Sequence, residues 1–244
     1  MPWDFWLIFL VLGVVLPWRG RARLRKLLAI PRVGMMERLS LYASTIAFQW
    51  IIAALVAWRA WAHGFTAAEL GLTIDGKARI LLSGIAGAAT LAILQGLNLR
   101  RMGRLPAAER GLLQSLAERI FPQSRIEMLP YFALAVTAGV CEEFLYRGFA
   151  LAAIIRAGSP VSAAVVISSV LFGLAHIYQG RTGSMSTMFL GVLFGTARIV
   201  YHSLIPVVLW HSAVDLVAGV VGPRYLTQSL DSAPKHINGT TVID

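Results

Sequence analysis

Charged residues and cysteine are both scarce in this sequence of 244 residues. Asp, Glu, Lys and Arg make up only 14% of it and hydrophobic residues 57%, whereas a soluble domain carries about 25% charged residues. The single cysteine, Cys141, excludes an intramolecular disulfide and a metal site built from several cysteines. These shortages argue against an ordinary soluble enzyme, a disordered chain and a collagen-like fibre.

Uninterrupted apolar runs are abundant instead, and several reach about 18 residues, the length at which a helix can cross a bilayer. They predict an all-α protein, a polytopic transmembrane helical bundle with seven spans, or eight if the long fourth run is broken. We expect a single transmembrane domain over residues 1–222 and a polar cytoplasmic tail over 223–244. The runs are Trp3 to Trp18, Ser40 to Ala62, Ile80 to Leu99, Met128 to Ile155, Val161 to Tyr178, Met185 to Tyr201 and Leu204 to Val221.

Basic residues outnumber acidic ones by 22 to 12, and they concentrate in the loops after the first and third runs. Because cytoplasmic loops of membrane proteins carry such an excess, we expect the N-terminus outside and the C-terminus in the cytoplasm. The basic loops are expected to contact anionic lipid of the bilayer, and no nucleic-acid partner is expected. An amphipathic stretch, Leu105 to Phe121, is predicted to lie on the cytoplasmic surface. The compact form and short loops favour a bacterial inner (plasma) membrane.

Three acidic residues, two histidines and one arginine of interest lie within the last four runs, where burial in hydrocarbon is costly. Each acidic or basic group near the bilayer centre costs about 2.5–3.5 kcal/mol on insertion scales, so such residues indicate a functional site. The six are Glu142, Glu143, Arg147, His176, His211 and Asp215.

Helical spacing groups these residues. Glu143 and Arg147 are four positions apart and can pair on one face, while Glu142 is displaced by about 100° around the helix. His211 and Asp215 have the same four-residue spacing and share a face. One carboxylate can therefore be neutralised by arginine while a neighbouring carboxylate points elsewhere.

Two chemical interpretations and one structural interpretation fit this set. A partly desolvated glutamate can act as a general base on water, and histidines can orient the water or stabilise an oxyanion, which suits amide hydrolysis. The same side chains could hold a divalent metal such as zinc that activates water. In the structural interpretation, Glu143 pairs with Arg147 and His211 bonds Asp215, without catalysis.

Three short motifs on successive apolar runs resemble a known family. Glu142-Glu143-Phe144-Leu145-Tyr146-Arg147 reads EExxxR, Phe172-Gly173-Leu174-Ala175-His176 reads FxxxH, and His211-Ser212-Ala213-Val214-Asp215 reads HxxxN/D. Over residues 128–222 the chain thus resembles the CPBP (Abi) family of intramembrane proteases. That family includes the type II CAAX prenyl endopeptidases and bacteriocin-processing and bacteriocin-immunity proteins.

The resemblance implies a role for each matching residue. Glu142 would be the general base, His176 would help bind and activate the water, and His211 with Asp215 would stabilise the oxyanion. Glu143, Arg147 and Phe172 would be supporting residues. The family is usually viewed as glutamic-type proteases, so the resemblance implies no cofactor and no metal ligand. The implied partner is a peptide or protein substrate within or at the membrane.

One residue departs from the prenyl endopeptidases, which have Asn where this chain has Asp215. An ionised Asp accepts hydrogen bonds but cannot donate one to an oxyanion, so Asp215 is expected to act through His211. The substrate is accordingly expected to be either a prenylated CAAX-type protein or a bacteriocin or other peptide precursor. The alternatives are a non-catalytic scaffold or immunity protein, an ion pathway, and a thiol nucleophile at Cys141.

Overall fold

The computed structural model describes residues 1–74 and 76–227, and within these ranges the chain forms eight α-helices and no strand. The all-α prediction is confirmed. Helices α1 and α5 each contain a π-helical segment, Val11–Val15 and Phe144–Ala150. The helices are α1 Trp3–Ala29, α2 Met35–Ala62, α3 Lys77–Gly103, α4 Ala107–Ile120, α5 Arg125–Arg156, α6 Val161–Ala175, α7 Gly180–Tyr201 and α8 Ile205–Leu226.

Six helices are long and apolar enough to cross a membrane: α1, α2, α3, α5, α7 with its preceding turn, and α8. The shorter α6 has 15 residues, so it spans about 22 Å at 1.5 Å per residue. Every predicted run therefore contains one helix, and the long fourth run is a single helix rather than a broken pair. The chain is an integral multi-pass membrane protein.

The first predicted span was too short, because α1 continues from Trp18 to Ala29. Its basic residues, predicted in a loop, lie on the last turns of that helix; they are Arg19, Arg21, Arg23, Arg25 and Lys26. Arg, Lys and Leu are all good helix formers, so the helical backbone hydrogen bonds continue beyond the last residue of the apolar run. At the other terminus, α8 runs to Leu226, beyond the predicted boundary at 222, and residues 228–244 lie outside the described part.

Helix α5 is the central element of the bundle. Half of its most apolar window is buried, compared with 11% for α1 and α3. It packs against α2 on one side and α8 on the other, while α8 also packs along α3 and α6 pairs with α7. Gly139 allows a close approach of α5 to α8, because a Cβ there would overlap the Ser212 hydroxyl. This approach sets the two glutamates of α5 in front of α8.

A buried ion pair joins the starts of α2 and α5. Arg38 donates to both carboxylate oxygens of Glu127, at 3.0 and 2.9 Å, and the Gln123 backbone N–H donates to the same carboxylate. Glu127 lay outside the predicted spans but occupies the first turn of α5 and is almost fully buried. Nearby, the Tyr42 hydroxyl donates to the Ile120 carbonyl at the end of α4. The predicted amphipathic helix, α4, is thus anchored against the bundle at this end.

At the opposite end, the loop after α2 forms a capped turn. The Thr66 N–H donates to Glu69 Oε2, and the Glu69 N–H donates back to Thr66 Oγ1, a reciprocal cap. The Thr66 backbone hydrogen bond holds the pKa of the Glu69 carboxyl below its usual value. Arg198 of α7 donates to the carbonyls of Ala68 and Glu69, and the Leu204 N–H donates to the Gly71 carbonyl. The loop is therefore fixed to the corner between α7 and α8.

Candidate active site

The structure brings the three motifs together in the interior of the bundle. Glu142 and Glu143 end the regular part of α5, directly before its π-helical segment, an irregularity often found at functional sites. His176 follows the last residue of α6, and His211 and Asp215 occupy the middle of α8. These side chains are separated by up to 73 residues in sequence, from Glu142 to Asp215, yet they form one cluster.

Glu143 lies at the centre of a fully buried network. Its Oε1 accepts hydrogen bonds from Arg147 Nη1 at 2.9 Å and from His211 Nδ1 at 2.7 Å. Both Glu143 and Arg147 are 0% exposed. The predicted i,i+4 pair is therefore present, and the same carboxylate also sets the orientation of the His211 ring. Because the carboxylate only accepts, His211 carries a proton on Nδ1 and turns Nε2 toward the rest of the cluster.

Glu142 points away from Arg147, as the helical spacing predicts. Gln49 of α2 donates to Glu142 Oε1 at 2.7 Å. The second oxygen, Oε2, is buried and has no hydrogen-bond partner among the described residues. It faces two imidazole nitrogens, His176 Nε2 at 3.6 Å and His211 Nε2 at 4.0 Å. Both distances exceed a direct hydrogen bond, so Oε2 and the two rings are close neighbours that are not bonded to one another.

Phe172 and His176 are linked within one helical turn. His176 Nδ1 lies 2.9 Å from the Phe172 carbonyl oxygen, so this nitrogen donates and Nε2 is left to face Glu142. The Phe172 ring packs edge-on against His176 and lies 3.9 Å from the Arg147 guanidinium carbon. A cation over an aromatic face is stabilised by the ring quadrupole. Phe172 thus supports both the buried arginine and the histidine that faces the base.

Asp215 is the most exposed member of the cluster, with 37% of its side chain accessible. Its Oδ2 lies 3.6 Å from His211 Nε2, longer than a hydrogen bond, whereas the short bond of His211 goes to Glu143. The bond between His211 and Asp215 in the structural interpretation is therefore replaced by one to Glu143. Asp215 is near enough to influence the charge on the imidazole without fixing its ring.

A thiol and a metal ion are the two alternatives to glutamate chemistry at this site. Cys141 is fully buried in the main hydrophobic core, where it packs as a small apolar residue. Among the described residues, no group of three or more His, Cys, Asp or Glu side chains is placed to hold a metal ion. The chemistry that the cluster itself offers is that of a carboxylate and two imidazoles.

Sequence reasoning missed two contacts of this site. Gln49 is a lone amide in the apolar run from Ser40 to Ala62, and that polar residue was the only available signal. The bond between Glu143 and His211 joins residues 68 positions apart, and no spacing rule reveals it. Both contacts arise from the packing of α5 against α2 and α8.

Comparison with known proteins agrees with the motifs. Residues 124–217 match the family model of the type II CAAX prenyl endopeptidases, described as Rce1-like. All three motifs lie inside this segment, so the resemblance to the CPBP/CAAX protease family is confirmed there. No match was found among curated proteins or among solved structures.

Proposed function

We propose that this chain, whose residues 124–217 match the Rce1-like type II CAAX prenyl endopeptidase family model, hydrolyses a peptide bond inside the membrane with Glu142 as general base. The observation that carries the proposal is the unpartnered, buried Oε2 of Glu142, faced by two imidazole Nε2 atoms at 3.6 and 4.0 Å. In the proposal, a water molecule enters this gap with the substrate and contacts the base and both histidines. The Oε2 atom of Glu143 is also buried and unpartnered, so it is the two imidazoles facing Oε2 of Glu142 that distinguish the candidate base.

The proposed reaction begins with the water. Glu142 Oε2 takes a proton from the water, which is oriented by His176 Nε2, and the hydroxide adds to the carbonyl carbon of the scissile bond. The C=O electron pair moves onto oxygen and forms a tetrahedral oxyanion. Glu142 then gives its proton to the departing nitrogen, and the C–N bond breaks to leave a carboxylic acid and an amine.

The oxyanion requires a hydrogen-bond donor, and His211 is placed to supply one. Glu143 holds the ring at Nδ1, at 2.7 Å, so that Nε2 is presented to the site. When the ring carries both protons, Nε2–H donates to the oxyanion. Asp215 Oδ2, at 3.6 Å from the same nitrogen, stabilises this positive charge through space. In the proposal, Glu143 and Arg147 keep the arrangement fixed and take no part in proton transfer.

The substrate is a peptide or protein that reaches the site within or at the membrane, because the cluster lies inside the bundle. Two classes are proposed, a prenylated CAAX-type protein and a bacteriocin or other peptide precursor. The proposed location is the bacterial inner membrane, with the N-terminus outside. No metal takes part in the proposed steps, and a zinc-dependent variant of the reaction is the alternative.

The proposal is tested by comparing new peptide termini in membranes that contain the wild type or the Glu142→Gln variant at matched expression. Glu142→Gln keeps the size and the buried position but cannot act as a base, so cleavage should fall by at least about 10²-fold. Glu118→Gln is the matched control, because Glu118 lies on α4, where its carboxylate contacts Gln114 and Arg119 rather than the cluster. Cleavage should survive a zinc chelator.

The outcomes separate the alternatives. Cleavage next to a prenylated cysteine supports the CAAX class, and cleavage of peptide precursors supports the processing class. Loss of cleavage with the chelator and recovery with zinc would replace the metal-free mechanism by the metal-dependent one. Equal activity of the wild type and Glu142→Gln contradicts the proposal. An absence of cleavage in every sample favours the scaffold or immunity protein.

A further inference from the structure

Gln49 contributes the hydrogen bond that Glu142 receives from outside the family segment. It lies on α2, and its Nε2 donates to Glu142 Oε1 at 2.7 Å, across 93 residues of sequence. Among the side chains that the structure describes, Gln49 alone donates a hydrogen bond to Glu142. The family match begins at residue 124, so α2 is outside it.

We propose that Gln49 is a positioning residue of the hydrolysis: its amide holds one oxygen of Glu142 so that the other faces the water between the histidines. This inference rests on the proposed function of Glu142. It adds a contribution from α2 to a site whose other members come from α5, α6 and α8.

The nitrogen and the oxygen of the Gln49 amide differ in their contacts. Its Nε2 is used in a short bond to a carboxylate, whereas its Oε1 is buried and has no partner among the described residues. A buried carbonyl without a donor is unfavourable. An amide is therefore present at this position although its carbonyl gains no contact there, which indicates that the N–H is the useful group.

A purely structural role for Gln49 is weakly supported, because other contacts already join α2 to α5. The neighbouring Trp50 donates from its indole nitrogen to Thr137 Oγ1 at 3.3 Å, and Arg38 binds Glu127 at the start of both helices. Trp50 and Gln49 thus make adjacent contacts from the same helix to α5. Only the contact of Gln49 reaches the candidate base.

Loss of the Gln49 donor should change the position of Glu142. The carboxylate would be left buried without a hydrogen bond, and the nearest nitrogens are the two imidazole Nε2 atoms, 3.6 and 4.0 Å from Oε2, which donate when their rings carry both protons. A rotation of the Glu142 carboxylate toward His176 or His211 would bring Oε2 within hydrogen-bonding distance of that ring. The water would then lose its place, and the rate of the chemical step would fall while substrate binding stays unchanged.

The inference is tested with Gln49→Met, which keeps the length of the side chain and removes the donor, and with Trp50→Phe as the matched control. The expected result is a fall in kcat of about 10- to 100-fold for Gln49→Met, the size expected for a hydrogen bond to a charged group. KM and the thermal unfolding temperature should stay at the wild-type values. Trp50→Phe should keep the wild-type kcat, since it removes a bond between the same helices without touching Glu142.

A structure of the Gln49→Met variant provides the second measurement, and it does not depend on finding a substrate. We expect the Glu142 carboxylate within hydrogen-bonding distance of His176 or His211. A wild-type kcat in Gln49→Met, or equal losses in Gln49→Met and Trp50→Phe, overturns the inference. So does an unmoved Glu142 in the variant structure. Inactivity of the wild type itself removes the proposed function, and the variant structure still decides whether Gln49 positions Glu142.

Discussion

At the scale of single residues, Glu143 combines two tasks in one buried carboxylate. Its Oε1 neutralises Arg147 and also fixes the ring of His211. Arg147 Nε and Nη2 have no hydrogen-bond partner among the described residues, so the arginine depends heavily on this one oxygen and on the face of Phe172. Two adjacent glutamates therefore differ in what they do: Glu143 maintains the network, and Glu142 is left available for water.

Replacing Glu143 should accordingly damage folding as well as activity. Glu143→Ala leaves Arg147 charged, buried and unpaired, and breaking a buried ion pair costs about 3–5 kcal/mol of unfolding free energy. Glu142→Gln should leave stability at the wild-type value, because Gln49 can still bond the new amide. Thermal unfolding of both variants in detergent measures the difference.

A double variant separates stability from activity in this network. Glu143→Leu combined with Arg147→Met removes both charges, and apolar replacement of a buried ion pair is often neutral or stabilising. We expect the double variant to be more stable than Glu143→Ala and still inactive, because His211 has lost its acceptor. Recovery of cleavage in the double variant would show that Glu143 does not orient His211.

At the scale of elements, the loop between α2 and α3 is attached to α7 by one arginine and one glycine. Gly71 has a φ of 72°, in the left-handed region, and a Cβ at this position would overlap the Arg198 guanidinium. Arg198 is buried and donates to two loop carbonyls, so it cannot move away freely. The loop and the α7–α8 corner should therefore unfold together.

Gly71→Ala and Gly64→Ala form a matched pair for this contact. Both glycines have a φ near 70°, but no atom lies within 4 Å of a Cβ at Gly64. Each variant bears the left-handed penalty of about 1 kcal/mol, and only Gly71→Ala displaces Arg198. We expect Gly71→Ala to cost a further 1–3 kcal/mol or so, the range for disturbing a buried polar group, measured by thermal unfolding. Equal losses in the two variants would mean that Arg198 adapts without cost.

The sequence predicts the membrane helices better than their ends, and helical neighbours better than distant ones. Hydropathy locates each apolar run but misplaces the end of α1. The helix continues past Trp18 to Ala29, because Arg and Lys residues favour the helical conformation. Periodicity predicts the Glu143–Arg147 pair because both are on one helix. Periodicity cannot predict that Gln49 bonds to Glu142 or that His211 bonds to Glu143, because those contacts depend on how α2 and α8 pack against α5.

At the scale of the whole molecule, the turn after His176 lies toward the end where the basic residues gather, and Glu142 and His211 lie deeper in the bundle. The turn after His176 packs against this end of α1, where Tyr178 contacts Gly20, and Leu112 of α4 lies beside Gly180. Arg119 of α4 donates to the Leu27 carbonyl at the end of α1. If the basic end faces the cytoplasm, as loop charge predicts, water and substrate reach Glu142 from that side.

The orientation can be measured with single cysteines, because the natural Cys141 is fully buried and should not react with a polar reagent. Ala67→Cys places a thiol in the exposed loop after α2, and Arg104→Cys places one at the exposed end of α3. We expect a membrane-impermeant maleimide to label Ala67→Cys in intact cells and Arg104→Cys only after permeabilisation. The unaltered chain, treated in the same way, gives the background from Cys141. The reverse pattern would place the basic end outside, so that the site would receive its water and its substrates from the extracytoplasmic side.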